Sequence, residues 1–242
     1  MSVRVSDRYL VSLLTVIALT TTVVAVTSFS FARDFYRQSL EAQHPQTVEL
    51  FGDVNGNIVF LGDSRVSQWS QHDAFAARYI GYAGASSHQI ARQFDSDLLG
   101  KSTSVVIIEA GVNDLRLAGL APERMTELVD ESLTSLHLLA ADLAPLVDQV
   151  IVLTVFPTAD PGVVRSVVWG EEVQQGVDRL NGAMLQTTWP SNVLVLDCDP
   201  ALLALGDLAF VDTLHLTESG YDVLNALLEP LIVTTKTKVR EA

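Results

Sequence analysis

Hydrophobic and polar positions alternate on two scales along this chain. The first scale is one long apolar run, Leu10 to Phe31, that carries no charged residue. Its 22 residues at about 1.5 Å each make a helix of roughly 33 Å, enough to cross a hydrocarbon core. Serines and threonines are tolerable in it, because their hydroxyls can bond back to their own helix. Three readings fit: an uncleaved signal-anchor, a cleaved signal ending near Ser30-Phe31-Ala32, and a buried core helix. The run is longer than a signal-peptide core and has no polar face, so its pattern favours the anchor. Arg4 and Arg8 precede it and Arg33 and Arg37 follow it, so charge bias specifies orientation only weakly.

The second scale begins past residue 57, where short apolar runs alternate with longer helical patterns. Ile58–Leu61, Val105–Ile108, Val150–Val155 and Val193–Leu196 are continuous and rich in β-branched residues, which predicts strands covered on both faces. Arg78-Tyr79-Ile80 predicts a short extra strand. Pro122 opens a helical pattern through Met125, Leu128, Val129, Leu136, Leu139 and Leu143. Further helices are predicted over 169–187 and 218–230. Strand–helix alternation of this kind predicts an α/β domain, a parallel sheet between two helical layers. The resulting division is a cytoplasmic N-terminus (1–9), a transmembrane segment (10–32), a connector (33–56), a soluble domain (57–233) and a tail (234–242). Within the connector, 34–43 reads as a helical stalk and Gly52–Asn57 as a turn.

Composition narrows the function classes. Hydrophobic residues make up 48% and charged residues 18% of 242, a globular balance. The net charge of −14 repels phosphate backbones and anionic lipid head groups. Nucleic acid is therefore excluded as a partner, and any membrane tie must be hydrophobic. Cys198 is the single cysteine, so no internal disulfide forms.

In parallel sheets, ligands gather at the carboxyl ends of strands, so the residues after each strand carry the candidate chemistry. Gly62-Asp63-Ser64 follows the first strand. The glycine permits a tight turn, and Ser64 is either a nucleophile or a helix cap. Gly111-Val112-Asn113-Asp114 follows the second, and Asn113 is either an oxyanion donor or a turn residue. Near the C-terminus, Asp212 stands three residues before His215. That carboxylate can accept from one ring nitrogen and leave the other free to take a proton. Each pattern alone is weak. All three in this order, with two directly behind predicted strands, are far less expected by chance.

These blocks resemble the SGNH hydrolases, also called GDSL-type esterases. VFLGDS carries the nucleophile onto Ser64, GVND an oxyanion donor onto Asn113, and DTLHL the base and its carboxylate onto His215 and Asp212. The remaining block is usually Asn-x-Gly-x-x-Gly. Here Tyr79-Ile80-Gly81-Tyr82-Ala83-Gly84 keeps both glycines and replaces the asparagine, which points to Gly81 as the backbone donor, with Gly84 as the fallback. LGDSRVSQW, with Trp169 and Asn181, is similar to a bacterial subgroup of membrane-tethered or secreted members. The resemblance spans about 58–230. It implies a three-layer flavodoxin-like fold, no metal, no cofactor, and a lipase-like serine hydrolase with a Ser64–His215–Asp212 triad. The oxyanion hole would comprise Ser64, Gly81 and Asn113.

The function expected on this basis is hydrolysis of carboxylic esters, with acetyl esters of envelope carbohydrate favoured as substrates. Acyl transfer on the same catalytic set and lipid-directed hydrolysis stay open, as does a non-catalytic binding role. The catalytic domain is expected outside the cytoplasm, membrane-anchored, or secreted if the first segment is cleaved. Substrate walls are expected from loops 83–100, 115–121 and 156–170. Arg65 reads as a salt-bridge residue or a contact for an anionic substrate, and Glu109 as a paired, partly buried carboxylate or a residue near the catalytic edge. His88 reads as a surface residue or a pocket residue, His137 as a helix-face residue, and Cys198 as an inert core-edge thiol. Asp95, Asp97 and the other scattered acids form no metal pattern.

Overall fold

The computed structural model describes residues 7–41, 47–162 and 169–241. The start of the expected cytoplasmic segment, connector residues 42–46 and loop residues 163–168 lie outside the described residues. The chain divides into two compact units, Met1–Ala42 and Gln43–Ala242.

The first unit is one helix, α1 (Asp7–Glu41). Its stretch Ser12–Ala32 is long and apolar enough to cross a membrane, with a mean hydropathy of 1.9 and no part of it buried. The expected back-bonding is present. Thr20 Oγ1 donates to Val16 O at 2.8 Å, Thr22 Oγ1 to Ala18 O at 2.8 Å and Thr27 Oγ1 to Val23 O at 2.9 Å. Each hydroxyl is thus satisfied without water, which a hydrocarbon surrounding demands.

The second unit holds a six-stranded sheet among the described residues, in the order β1-β3-β2-β4-β5-β6. The strands are β1 (Val48–Gly52), β2 (Ile58–Gly62), β3 (Arg78–Tyr82), β4 (Val105–Glu109), β5 (Gln149–Leu153) and β6 (Val193–Leu196). All neighbours run parallel except β1, which pairs antiparallel with β3. The four runs read as buried strands are β2, β4, β5 and β6, and the short run at Arg78 is a full interior strand. Strand β1 corrects the reading of residues 48–52 as connector. Its side chains are mostly exposed, so it lacks the burial that marks β2 to β5 and is held by backbone pairing at the sheet edge; β6, at the other edge, is likewise only partly covered, against the expectation of cover on both faces.

Alternate residues of each strand face opposite layers. Ile58, Phe60, Val105, Ile107, Ile151 and Leu153 meet a cluster that includes Trp69, Phe156, Leu202, Tyr221, Leu224 and Leu228. Those partners come mainly from α2 (Ser64–Trp69), α7 (Asp199–Leu205) and α8 (Glu218–Glu241). The other helices are α3 (Ser87–Gln93), α4 (Val112–Leu115), α5 (Met125–Leu143) and α6 (Glu171–Gln186), and they pack on one another as a second layer. Pro122 begins a short 3-10 turn, Pro122–Arg124, that leads into α5. Helix α8 runs past the expected stop at residue 230 and through the expected tail. Pro230 removes one backbone donor, yet buried Leu224, Leu228 and Ile232 continue one apolar stripe across it, and that burial offsets the lost bond.

The parallel strands β2–β6 follow the flavodoxin-like order 2-1-3-4-5. Their connections leave in opposite directions between β2 and β4, and a crevice opens there at the carboxyl ends. Ser64 follows β2 and Asn113 follows β4, so both candidate residues sit at this switch point.

Candidate active site

The turn that carries Ser64 depends on close backbone contact. A Cβ on Gly62 would lie 1.9 Å from the carbonyl oxygen of Glu109, so only glycine lets β2 end against β4. Asp63 then caps α2, its Oδ1 accepting from Arg65 N–H at 2.9 Å. Ser64 is the first residue of α2 and is half-buried at the sheet edge.

The opposite wall is the irregular segment before α8. Asp212 Oδ1 accepts from the backbone N–H of Leu214 at 2.7 Å and of His215 at 2.9 Å. Its Oδ2 accepts from His215 Nδ1 at 2.9 Å. An ionised carboxylate only accepts, so Nδ1 carries the proton and Nε2 of the neutral ring presents a lone pair. That Nε2 lies 3.3 Å from Ser64 Oγ. Partial burial pushes the Asp212 carboxyl up, but the bonds from the His215 ring and from the two backbone amides outweigh it and hold the group at about 2. The segment is braced by Val211 N–H donating to His215 O at 2.8 Å and Ala159 N–H donating to Thr213 O at 3.0 Å. The structure thus brings together Ser64, His215 and Asp212 from positions 148 to 151 residues apart in the chain.

Asn113 reaches the same place from β4 through Gly111, whose φ of +127° is strained for any side chain and whose Cβ would press Val155 at 2.7 Å. Its Nδ2 donates to Asp63 Oδ2 and to Ala85 O, both at 3.0 Å. Both amide hydrogens therefore have acceptors inside the protein, and Asn113 joins the Ser64 turn to the turn after β3. Asp114 secures that turn from the next position, its carboxylate accepting from Ser87 N–H at 2.8 Å and Ser87 Oγ–H at 2.7 Å.

The glycines of the β3 block separate. Gly81 lies inside β3, paired with Glu49 on one side and Gly62 on the other, so its amide sits within the sheet rather than in the crevice. A Cβ there would fall 2.0 Å from Ser67 Oγ, so this glycine lets α2 approach the sheet. This corrects the expectation of Gly81 as an oxyanion donor. Gly84 occupies the exposed turn closed by Ala85 N–H donating to Tyr82 O at 2.9 Å, with φ +75°. Among the described residues its N–H has no hydrogen-bond partner. A positive-φ turn just past a strand end is the signal that separates the two glycines, and spacing alone does not contain it.

Behind the crevice lies a buried charged group that the sequence indicated only as isolated residues. Asp63, Arg65 and Glu109 are each no more than 1% exposed. Arg65 Nη1 stands 3.4 Å from Glu109 Oε1, which makes Arg65 a salt-bridge residue with its head turned away from solvent. Burial pushes both carboxyls up, Glu109 the further because the Asp63 charge adds to its burial. Asn181, conspicuous in the sequence, clamps the end of β5. It accepts from Val155 N–H and donates to Val155 O, both at 2.8 Å. Cys198 is fully buried, and burial with Asp199 and Asp197 beside it pushes its thiol up. His88 is exposed on α3 and His137 sits on the face of α5 against Trp189. Among the described residues no group of three or more His, Cys, Asp or Glu is spaced to hold a metal ion.

Comparison with known proteins finds the same fold in solved structures. A crystal structure of a GDSL-like lipase from Bacteroides thetaiotaomicron superposes with a TM-score of 0.56 at 19% identity, over 84% of this chain and 97% of that one. A candidate acylhydrolase from Bacteroides fragilis gives a TM-score of 0.58 at 21% identity, over 83% and 95% of the two chains. At these identities the likeness concerns the fold. No curated protein matches the sequence. The profile of the GDSL-like Lipase/Acylhydrolase family matches residues 60–223, which include the Ser64 turn, both β3 glycines, Asn113, Asp212 and His215, and the chain therefore belongs to that family of ester-cleaving hydrolases.

Proposed function

We propose that this protein is a membrane-anchored serine esterase that removes short acyl groups, acetyl above all, from carbohydrate of the cell envelope. The observation that carries the chemistry is the line from Ser64 Oγ to His215 Nε2 at 3.3 Å and from His215 Nδ1 to Asp212 at 2.9 Å. Nε2 takes the Ser64 proton as Oγ bonds to the ester carbonyl carbon. The carbonyl oxygen becomes an oxyanion, met by the N–H groups of Ser64 and Gly84. Asn113 adds a third donor by releasing Ala85 O while keeping its bond to Asp63. Collapse breaks the carbon–alkoxy bond, and Nε2 returns its proton to the departing alcohol. Water then repeats the sequence on the acyl-Ser64 ester and frees the acid. Asp212 stabilises the imidazolium in both halves.

The substrate class rests on the openness of the edge. The side chains of His215 and Asp212 are 28% and 43% exposed, which suits a small acyl group on a bulky alcohol better than a long chain needing a deep tunnel. Lipid esters are the second reading, favoured by Leu208 and Val211, which stand 73% and 72% exposed beside Asp212. Acyl transfer to a sugar hydroxyl uses the same atoms with a different acceptor. Anchoring through α1 with the N-terminus inside places the catalytic unit outside the cytoplasm.

The test is turnover of p-nitrophenyl acetate and p-nitrophenyl octanoate by the detergent-solubilised chain and its Ser64→Ala variant. Acetate turnover that needs Ser64 and falls with chain length supports the proposal. Faster turnover of octanoate moves the substrate class to lipids. Equal turnover by Ser64→Ala removes the mechanism.

A further inference from the structure

We propose that Arg65 is a positioning residue for the reaction, a buried strut that holds the segment bearing His215 at its working distance from Ser64. The proposal rests on the reading of Ser64 and His215 as nucleophile and base. Arginine is among the residues least often fully buried, yet Arg65 is 1% exposed. Its Nε donates to Leu214 O at 2.9 Å, across 149 residues of sequence. Leu214 immediately precedes His215, and Arg65 immediately follows Ser64. One side chain therefore links the residues adjoining both partners of the 3.3 Å contact.

The rest of the guanidinium makes longer contacts, and its Nη2 has no hydrogen-bond partner among the described residues. Nη1 reaches Phe156 O and Glu109 Oε1, both at 3.4 Å, and the guanidinium lies 5.3 Å from the centre of the Phe156 ring. Its backbone carbonyl accepts from Tyr221 Oη–H at 2.9 Å, which ties the same residue to α8. The end of β4, the chain just past β5 and the segment before His215 thus converge on one planar fork. Lysine has neither the fork nor the Nε direction and reaches one of these acceptors at a time. The His215 segment has no regular structure beyond the Phe210–Leu216 bridge, so its distance from α2 depends on such cross-links.

Burial and the Asp63 charge push the Glu109 carboxyl up, and the Arg65 guanidinium beside it acts in the opposite sense. Arg65 touches no position a substrate reaches, so its effect falls on the rate of the chemical step and not on binding.

The test uses the detergent-solubilised full chain, with active sites titrated by a fluorophosphonate. Wild type must be labelled and Ser64→Ala must not; labelling of Ser64→Ala refutes the reading of the nucleophile itself, separately from any result on Arg65. Turnover of p-nitrophenyl acetate is then measured per titrated site for Arg65→Lys, Arg65→Met and Leu228→Ala. Leu228→Ala is a core truncation on α8 that lowers stability away from the crevice. A misplacement on the order of 1 Å costs about 100-fold, so Arg65→Met is expected to lose about 100-fold in kcat per site with KM within about threefold. Arg65→Lys is expected to recover part of that loss, and Leu228→Ala to keep wild-type kcat per site. Should Arg65→Met fail to fold, Arg65→Lys carries the test, with an expected loss of about tenfold. Arg65 variants that keep wild-type kcat per titrated site and only yield fewer competent sites would refute positioning and leave Arg65 a stabilising residue.

Discussion

The change from Asp212 to asparagine probes the electrostatics of the site most directly, because the structure determines which way the new amide must face. Two backbone N–H groups, of Leu214 and His215, point at Oδ1 at 2.7 and 2.9 Å. The amide oxygen has to take that place, since an NH₂ group there would meet two donors. The NH₂ group then faces His215 Nδ1, which must accept. The ring proton moves to Nε2, where it points at Ser64 Oγ and blocks the base. Reversing a triad tautomer in this way costs about 10⁴ in kcat, about 5 kcal/mol at 1.36 kcal/mol per decade. The Asp212 side chain is 43% exposed, so water can accept from Nδ1–H when the amide swings away. That leak reduces the expected loss to about 10²–10³. Asp212→Ala opposes no donor to the ring and is expected to lose less. The assay is kcat/KM on p-nitrophenyl acetate between pH 6 and 9, with folding checked by thermal melting. Activity of Asp212→Asn within threefold of wild type would refute the assigned tautomer and with it the role of Nε2 as base.

Gly62→Ala should destabilise the soluble unit by about 3 kcal/mol or more, because its Cβ meets a backbone carbonyl at 1.9 Å; a chemical unfolding midpoint checks it. Asn113→Ala should lower kcat by about 10²–10³ if its amide reaches the oxyanion, and a loss below threefold in a folded variant would confine Asn113 to bridging Asp63 and Ala85. Stability should rise as pH falls from 7 towards 5. Burial pushes Asp114 and Asp199 up to about 6, so the folded state binds protons there that the unfolded chain binds only near pH 4. Asp212, held at about 2, acts in the opposite sense: its stabilising contribution is complete above about pH 4 and is lost as pH falls towards 2. A melting temperature that falls steadily from pH 7 to 5 contradicts the assignment to Asp114 and Asp199.

Much of the architecture was legible because burial on both faces leaves a local signature. Ile58–Leu61, Val105–Ile108 and Val150–Leu153 are apolar at every position since each strand lies between two helical layers. The Ser64, Asn113 and Asp212–His215 patterns were legible because each is short and follows a strand or precedes a helix. Strand β1 was not, since an edge strand needs only backbone bonds to β3 and its side chains face water. The continuation of α8 past Pro230 was hidden for a related reason: a proline reads locally as a stop, and the packing that overrides it comes from across the domain.

Residue types and their local spacing carried the α/β class, the apolar N-terminal span and the candidates Ser64, His215 and Asp212. These features follow from side-chain chemistry and from the periodicities of strand and helix. Spacing within a block could not assign the two glycines after β3, because Gly81 and Gly84 differ only in what surrounds them. One lies between two paired strands and beneath Ser67, and the other turns at positive φ in the open. Nor did sequence reveal that Arg65 turns inward to the Leu214 carbonyl or that Asp63 holds Asn113. Those contacts join residues 50 to 149 positions apart, and only the closing of the sheet brings such groups within hydrogen-bonding distance.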